Sequence, residues 1–241
     1  MRILIVNDDG IWAPGIAHLT KWASKHGEVT VVAPKVEQSG KSQALEFKEP
    51  VEIKRVDYPY ATEAWMMDST PADCVRWATS GLGQTYDLML SGINCGYNLG
   101  HDVTYSGTVG AVLEGFRAGI KAIAFSTDHT TFDFALESLD RIYDFIVNNK
   151  MLTAAQVLNV NVPKETPKGI LVTRQGGRFF TDRFEKRGED LYLQVGDPVF
   201  DGGDDLSVDV FAVRNGYISV TPLTTARTDF AAYERLKELK D

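Results

Sequence analysis

One stretch constrains this chain more than any other: a short apolar run that breaks into spaced glycines and ends in an amphipathic helix. Residues 86–90 (Tyr-Asp-Leu-Met-Leu) read as a buried strand, and Val109, Val112, Leu113 and Phe116 recur at helical spacing. Between them lie Gly92, Gly96, Gly100 and Gly107, interleaved with Asn94, Asn98, Ser106 and Thr108. Glycine lets backbone N–H groups come close to a ligand, and the N-terminus of the following helix favours an anion. Strand, glycine-rich loop and helix in this order point to a phosphate site. A loop that merely connects strand to helix has the same composition, so this reading needs a second polar loop beside it.

The rest of the chain supplies that loop. Residues 2–6 form an apolar strand ending in Asn7-Asp8-Asp9-Gly10, followed by a loop, a helix over 15–26 stopped by Gly27, and a second strand over 28–33. A polar loop over 35–42 contains Ser39. Strands follow at 51–56 and 64–67, and Thr70-Pro71-Ala72-Asp73 opens a helix running to about 82. Beyond the central stretch come a strand at 122–126, a helix at 132–149, and strands at 157–162 and 170–173. Alternating β and α elements predict an α/β protein, a Rossmann-like, open, mostly parallel sheet with helices on both faces. In such sheets ligands collect at the carboxyl ends of the strands, where the loops carrying Asp8 and Asp9, Ser39, and Asn94 and Asn98 should meet.

The pattern changes near Gln175. Residues 178–199 carry Phe179, Phe180, Phe184, Tyr192 and Leu193 and read as a protruding β-hairpin. Strands at 208–213 and 217–220, joined at Asn215-Gly216, read as a second hairpin, and 228–239 as an amphipathic helix. A single domain is expected over 1–241, with a core at about 1–175, an arm at about 176–205, and a C-terminal hairpin and helix at about 206–241.

Composition sets limits on partners. With 241 residues, 44% hydrophobic and 24% charged, the chain suits one large globular domain. No apolar run reaches the roughly 20 residues of a membrane helix, and the short apolar start before Asp8 is no secretory signal, so no membrane partner is expected. Cys74 and Cys95 form no C-x-x-C pair and read as reduced thiols in a cytoplasmic protein, with Cys95 a packing residue. A net charge of −8 without Lys/Arg runs argues against a nucleic-acid duplex. Positive potential for a phosphate must then be local: a metal ion, N–H groups, a helix end or a few basic side chains.

Asp8 and Asp9 repel each other, so exposing both at a strand end is costly unless a cation holds them. Together with the Ser39 hydroxyl and the Asn94 amide they make an all-oxygen shell suited to Mg2+, Mn2+ or Ca2+. An isolated Asp-Asp-Gly is more often a turn or a helix cap. Other site classes fit less well. Ser39-Gly40-Lys41-Ser42 resembles the end of a P-loop, but Lys35 stands where its first glycine belongs. Gly92, Gly96 and Gly100 are spaced by four, unlike G-x-G-x-x-G. A receiver domain needs an acceptor Asp on its third parallel strand, where this chain has Ser91, Gly92 and Asn94. A haloacid-dehalogenase-type phosphatase needs D-x-D, and here Asn7 occupies the nucleophile's place.

Several motifs in order over nearly the whole chain resemble the SurE family of metal-dependent 5′-nucleotidases: Asn7-Asp8-Asp9-Gly10, Ser39-Gly40, Thr70-Pro71-Ala72-Asp73, Ser91-Gly92-Ile93-Asn94, Tyr105-Ser106-Gly107-Thr108-Val109 and Gly216-Tyr217-Ile218-Ser219-Val220. Ser69 departs from the glycine more usual there. The resemblance implies one divalent ion per subunit, Mg2+ or Mn2+ with Ca2+ able to replace it in crystals, on Asp8, Asp9, Ser39 and Asn94. It also implies phosphate contacts from Asn98, Ser106, Gly107 and Thr108, and catalytic roles for Asp8, Asp9 and Asn98, with His101 a weaker acid candidate. On this basis Gly107→Val is expected to weaken phosphate binding and spare the metal. The implied substrates are nucleoside 5′-monophosphates, accepted broadly, and the implied assembly is a homodimer or homotetramer built through arm and terminal helix. A metal-dependent nucleotide or phosphate sensor without turnover is the alternative.

Overall fold

The computed structural model describes residues 1–199 and 203–239; the parts of the expected arm at 200–202 and of the C-terminal segment at 240–241 lie outside the described residues. In chain order the elements are β1 (Arg2–Val6), α1 (Pro14–Ala23), β2 (Glu28–Pro34), β3 (Ile53–Arg55), β4 (Glu63–Met67), α2 (Pro71–Arg76), β5 (Leu88–Cys95), α3 (Gly107–Arg117), β6 (Ala122–Thr127), α4 (Asp133–Asn148) and α5 (Met151–Ala154), then β7 (Val157–Val162), β8 (Ile170–Val172), β9 (Arg183–Lys186), β10 (Tyr192–Val195), α6 (Asp209–Arg214), β11 (Ile218–Leu223) and α7 (Phe230–Leu236).

A nine-stranded sheet has the order β3-β4-β2-β1-β5-β6-β7-β11-β8. The strands β4, β2, β1, β5, β6 and β7 are parallel neighbours. Taken in chain order they lie third-second-first-fourth-fifth-sixth, the doubly wound arrangement, with the direction of winding reversing between β1 and β5. Loops leaving those two strands diverge to opposite faces and open a crevice at the carboxyl edge. Only β3 and β11 run antiparallel to their neighbours β4 and β7 within the described sheet.

Alternation along β1 builds both faces of the core. Ile3 and Ile5 pack with Ile16, Leu19 and Trp22 of α1 and Leu139, Ile142 and Ile146 of α4. Leu4 and Val6 point the other way, onto Cys74 and Val75 of α2 and Val109 and Val112 of α3. A strand covered on both sides reads as a continuous apolar run, as residues 3–6 of β1 do.

The structure refines the expected elements. Thr70 caps α2, its hydroxyl accepting from the Asp73 N–H (3.1 Å), and the Ser69 hydroxyl donates to Asp73 (2.6 Å), so serine adds a bond at this helix start. The helix ends at Arg76 and continues as a wider π turn over Trp77–Gly81. β5 runs on past the expected strand end to Cys95, through a register shift between Ser91 and Asn94. Gly92 makes this passage possible: its φ is +123°, and a β-carbon there would lie 2.3 Å from the Phe125 carbonyl oxygen.

The hairpin reading of 208–220 is corrected. Residues Asp209–Arg214 are helix α6, and Asn215-Gly216 ends that helix, Gly216 standing at φ +82°. Period-2 alternation over so short an apolar run fits helix and strand alike. Burial of Asp209 decides it: its carboxylate accepts N–H bonds from Gly100 (3.0 Å), Gly176 (2.8 Å) and Val210 (2.7 Å), which ties the end of the glycine loop to the root of the arm. The expected arm is present as the antiparallel pair β9–β10, a sheet of its own.

Candidate active site

The loops after β1, β2 and β5 converge on an open cavity of about 220 Å³ at the carboxyl edge, beside the N-terminus of α3. Asp8, Asp9, Ser39, Asn94, Asn98 and Ser106 all line it. Four carboxylates face this cavity (Asp8, Asp9, Glu37 and Asp102), and among the described residues no basic side chain lines it. None of the four forms an ion pair within 4.0 Å among the described residues.

Asp8 is nearly fully buried, 4% exposed, at the start of the loop after β1. The Thr108 hydroxyl donates to its Oδ1, and the Thr108 N–H also reaches the carboxylate. Burial pushes the Asp8 carboxyl above its ordinary value, with Glu37 adding to this and the Thr108 donors opposing it. Asp9 is pushed up to about 6, first by burial and then by Asp8, against a bond from the Cys95 N–H (3.4 Å). Two adjacent, largely buried carboxylates keep their charge most readily when a cation sits beside them. Around them are the Ser39 hydroxyl, which donates a hydrogen bond to Glu37 (2.6 Å), and the Asn94 amide, whose Nδ2 donates to the Gly96 carbonyl (2.9 Å) and whose oxygen remains an acceptor. This all-oxygen, acid-rich set fits a hard divalent cation. Among the described residues no three His, Cys, Asp or Glu side chains converge as a ready-made cluster, so the fit rests on mixed carboxylate, hydroxyl and amide donors.

The residues expected to meet phosphate are wired into the same group. Ser106 caps α3, its hydroxyl oxygen accepting from the Val109 N–H (3.1 Å). The Gly110 N–H bonds to the Ser106 carbonyl, and the Gly107 N–H meets no acceptor among the described residues. Gly107 lies directly on Asp8: a β-carbon there would sit 2.8 Å from Asp8 Cβ. A substitution at 107 therefore strikes the carboxylate as well as the helix end, contrary to the expectation that the metal half is spared.

Asn98 is held from below by residues that sequence reasoning missed. Its N–H donates to Asn161 Oδ1 (2.9 Å), and its carbonyl accepts from Asn161 Nδ2 (2.9 Å) and Asn159 Nδ2 (2.8 Å). Its own Nδ2 donates to the Ser126 hydroxyl (2.8 Å), leaving one N–H of that amide for a ligand. The signal was present in Val-Leu-Asn-Val-Asn-Val at 157–162: two asparagines inside a buried strand must find partners. Glu37 and Asp102 were also missed. Asp102 is raised by burial, and its Oδ2 is buried without a hydrogen-bond partner among the described residues. Its neighbour His101 is exposed and does not line the cavity. Burial, then Asp9, raise the Cys95 thiol, so it stays protonated at neutral pH.

An acid-lined cavity at the switch point of a doubly wound sheet, with a helix N-terminus at its wall, has the build of an α/β protein that handles a cation and an anionic ligand together. The sequence pattern of the family described as Survival protein SurE matches residues 3–182. A protein of Pelotomaculum thermopropionicum named 5′-nucleotidase SurE is 42% identical over 248 aligned positions, covering 99% of this chain and 95% of that protein. In Thermus thermophilus, 5′-nucleotidase SurE 1 is 41% identical, with 99% and 98% covered. The crystal structure of the SurE protein from Aquifex aeolicus superposes with a TM-score of 0.83 at 36% identity over the whole of both chains. The chain belongs to the SurE family.

Proposed function

We propose that this chain is a metal-dependent 5′-nucleotidase, hydrolysing nucleoside 5′-monophosphates to nucleoside and phosphate at the cavity between β1 and β5. The observation that carries this reading is the pair Asp8 and Asp9, side by side in a cavity whose charged lining among the described residues is all acidic, both raised by burial and Asp9 further by Asp8. Relatives named 5′-nucleotidase SurE, matched over nearly their whole length, support it. Asp8, Asp9, Ser39 and Asn94 would hold one divalent ion, Mg2+ or Mn2+. When bound, such an ion neutralises phosphoryl oxygens and lowers the pKa of water.

The protein's own groups do the rest. The Gly107 N–H and the free N–H of Asn98 donate to phosphoryl oxygens, where charge spreads as the ester bond breaks. Asn159, Asn161 and Ser126 keep Asn98 in place during that step. Thr108 orients Asp8, so that both Asp8 oxygens keep fixed directions. Asp9, less buried than Asp8, is the carboxylate best placed to take a proton from an attacking water.

The same reading treats 1–241 as one domain working as a homodimer or homotetramer in the cytoplasm. Phe184 (68% exposed), Leu191, Tyr192 and Leu193 on the arm and Phe230, Tyr233, Leu236 and Leu239 (74%) along the terminal segment present apolar surface that monomers rarely leave open. No helix among the described residues is long and apolar enough to cross a membrane. Asp8→Asn and Asp9→Asn test the site: each is expected to remove most phosphate release at saturating Mn2+ or Mg2+. Near-wild-type turnover in both variants would refute the assignment.

A further inference from the structure

A second cavity, of about 310 Å³, opens on the carboxyl edge of the sheet over β6 and β7. One loop separates it from the active site. Cys95 and Asn98 line the active-site cavity, whereas Tyr97 and Leu99 of the same loop line this one. Its walls are apolar: Tyr97, Leu99, Pro163, Phe179 and Val213. Asp128 after β6, Lys164 and Glu165 after β7, and Arg214 of α6 are the charged members of the lining. Phe179 meets the Tyr97 ring edge-on, 6.5 Å between centroids at 77°.

We propose that this cavity is the nucleobase subsite, with Tyr97 the aromatic surface on which the base lies. The proposal rests on the nucleotidase reading above. Three features support it. Neighbouring strands are about 4.8 Å apart, so a pocket over β6 lies one to two strand spacings from the loop carrying Asn94 and Asn98, a gap that one ribose spans. A base has flat apolar faces and polar edges, which matches a lining of aromatic and aliphatic side chains with a few charged ones among them. The other cavity bordering the site, which shares Ser106 with it and includes Thr104, Gln175 and Arg227, contains no aromatic ring. Stacking tolerates any base, because each has a π-face, so such a wall would accept nucleotides of different bases.

Kinetics on the full chain with Mn2+ test this by comparing adenosine 5′-monophosphate with ribose 5-phosphate, which has the same sugar and phosphate and no base. Tyr97→Ala is expected to raise KM for the nucleotide about tenfold, the loss of one base–aromatic stack, and to leave ribose 5-phosphate unchanged. Tyr97→Phe, which keeps the ring, should retain the nucleotide KM. Val213→Phe fills the cavity from α6 without altering any residue of the β5 loop, and should repeat the split. An equal change for both substrates in Tyr97→Ala and in Val213→Phe overturns the proposal, because the cavity then only braces the Asn98 loop. Equal KM values for the two substrates in the unmodified protein also overturn it. If the unmodified protein hydrolyses neither compound, the nucleotidase reading fails and the subsite fails with it.

Discussion

Replacing Gly107 by alanine tests whether the two halves of the site are one structure. The added carbon would lie 2.8 Å from Asp8 Cβ and 2.9 Å from Asp8 Oδ2, well inside the roughly 3.5–4.0 Å of an ordinary carbon contact. Asp8 has little room to retreat. Its carbonyl accepts from the Gln38 N–H (2.7 Å), its Oδ1 is held by Thr108, and it is buried. Relief must come from moving its carboxylate off Thr108, which forfeits a hydrogen bond to a charged group worth about 1.5–3 kcal/mol. Transferred to ion binding, that is a loss of about ten- to a hundredfold in affinity. Calorimetric titration of Mn2+ into chelator-treated Gly107→Ala and wild-type protein measures it, with thermal unfolding as the check on folding. Mn2+ affinity within about twofold of wild type in a folded variant would refute the argument that residue 107 sets the position of Asp8.

Other expectations follow from the same geometry. In the metal-free protein the Asp9 carboxyl titrates near 6, above its ordinary 3.8, so the folded state holds this proton more tightly than the unfolded state does. Stability therefore falls as pH rises from about 4 to 6, and the gap corresponds to up to about 3 kcal/mol. Asp9→Asn should be the more stable apo-protein at pH 7, with the advantage gone below pH 4; denaturant melts in chelator at the two pH values check this, and equal stability at pH 7 contradicts it. Asn161→Ala leaves the Asn98 N–H buried without its acceptor, at a cost of about 1–3 kcal/mol. It should lower kcat more than Mn2+ affinity, and parallel loss of both would assign Asn161 a general structural role. Deleting residues 183–195 should lower the mass seen by light scattering while Mn2+ affinity persists, and an unchanged mass counts against an assembly role for the arm.

Much of this fold was legible because its signals are local. Apolar runs such as Ile3–Val6 mark strands buried on both faces, and Thr70-Pro71 marks a helix start wherever it occurs. The gathering of Asp8, Asp9, Ser39, Asn94 and Asn98 followed from topology, since loops at one edge of a parallel sheet must meet. Readings failed where a local pattern was ambiguous or the deciding contact was distant. The apolar run at 208–213 suits helix and strand alike until the buried Asp209 carboxylate finds Gly100 and Gly176. Asn159 and Asn161 looked like strand residues, and their function lies in a backbone some sixty positions away (|i−j| of 61 and 63). Gly107 read as a place for a ligand to approach, whereas in the fold its missing side chain makes room for Asp8.

The central claim is turnover dependent on an ion held by the acid-lined cavity. Phosphate release from a panel of nucleoside 5′-monophosphates, with Mn2+ or Mg2+, with chelator, and after the ion is restored, tests it most directly. The account predicts release with the ion, none in chelator, and full recovery on restoring the ion. Tight binding of ion and nucleotide with no phosphate released would make the protein a sensor, and undiminished release in chelator would contradict the account outright.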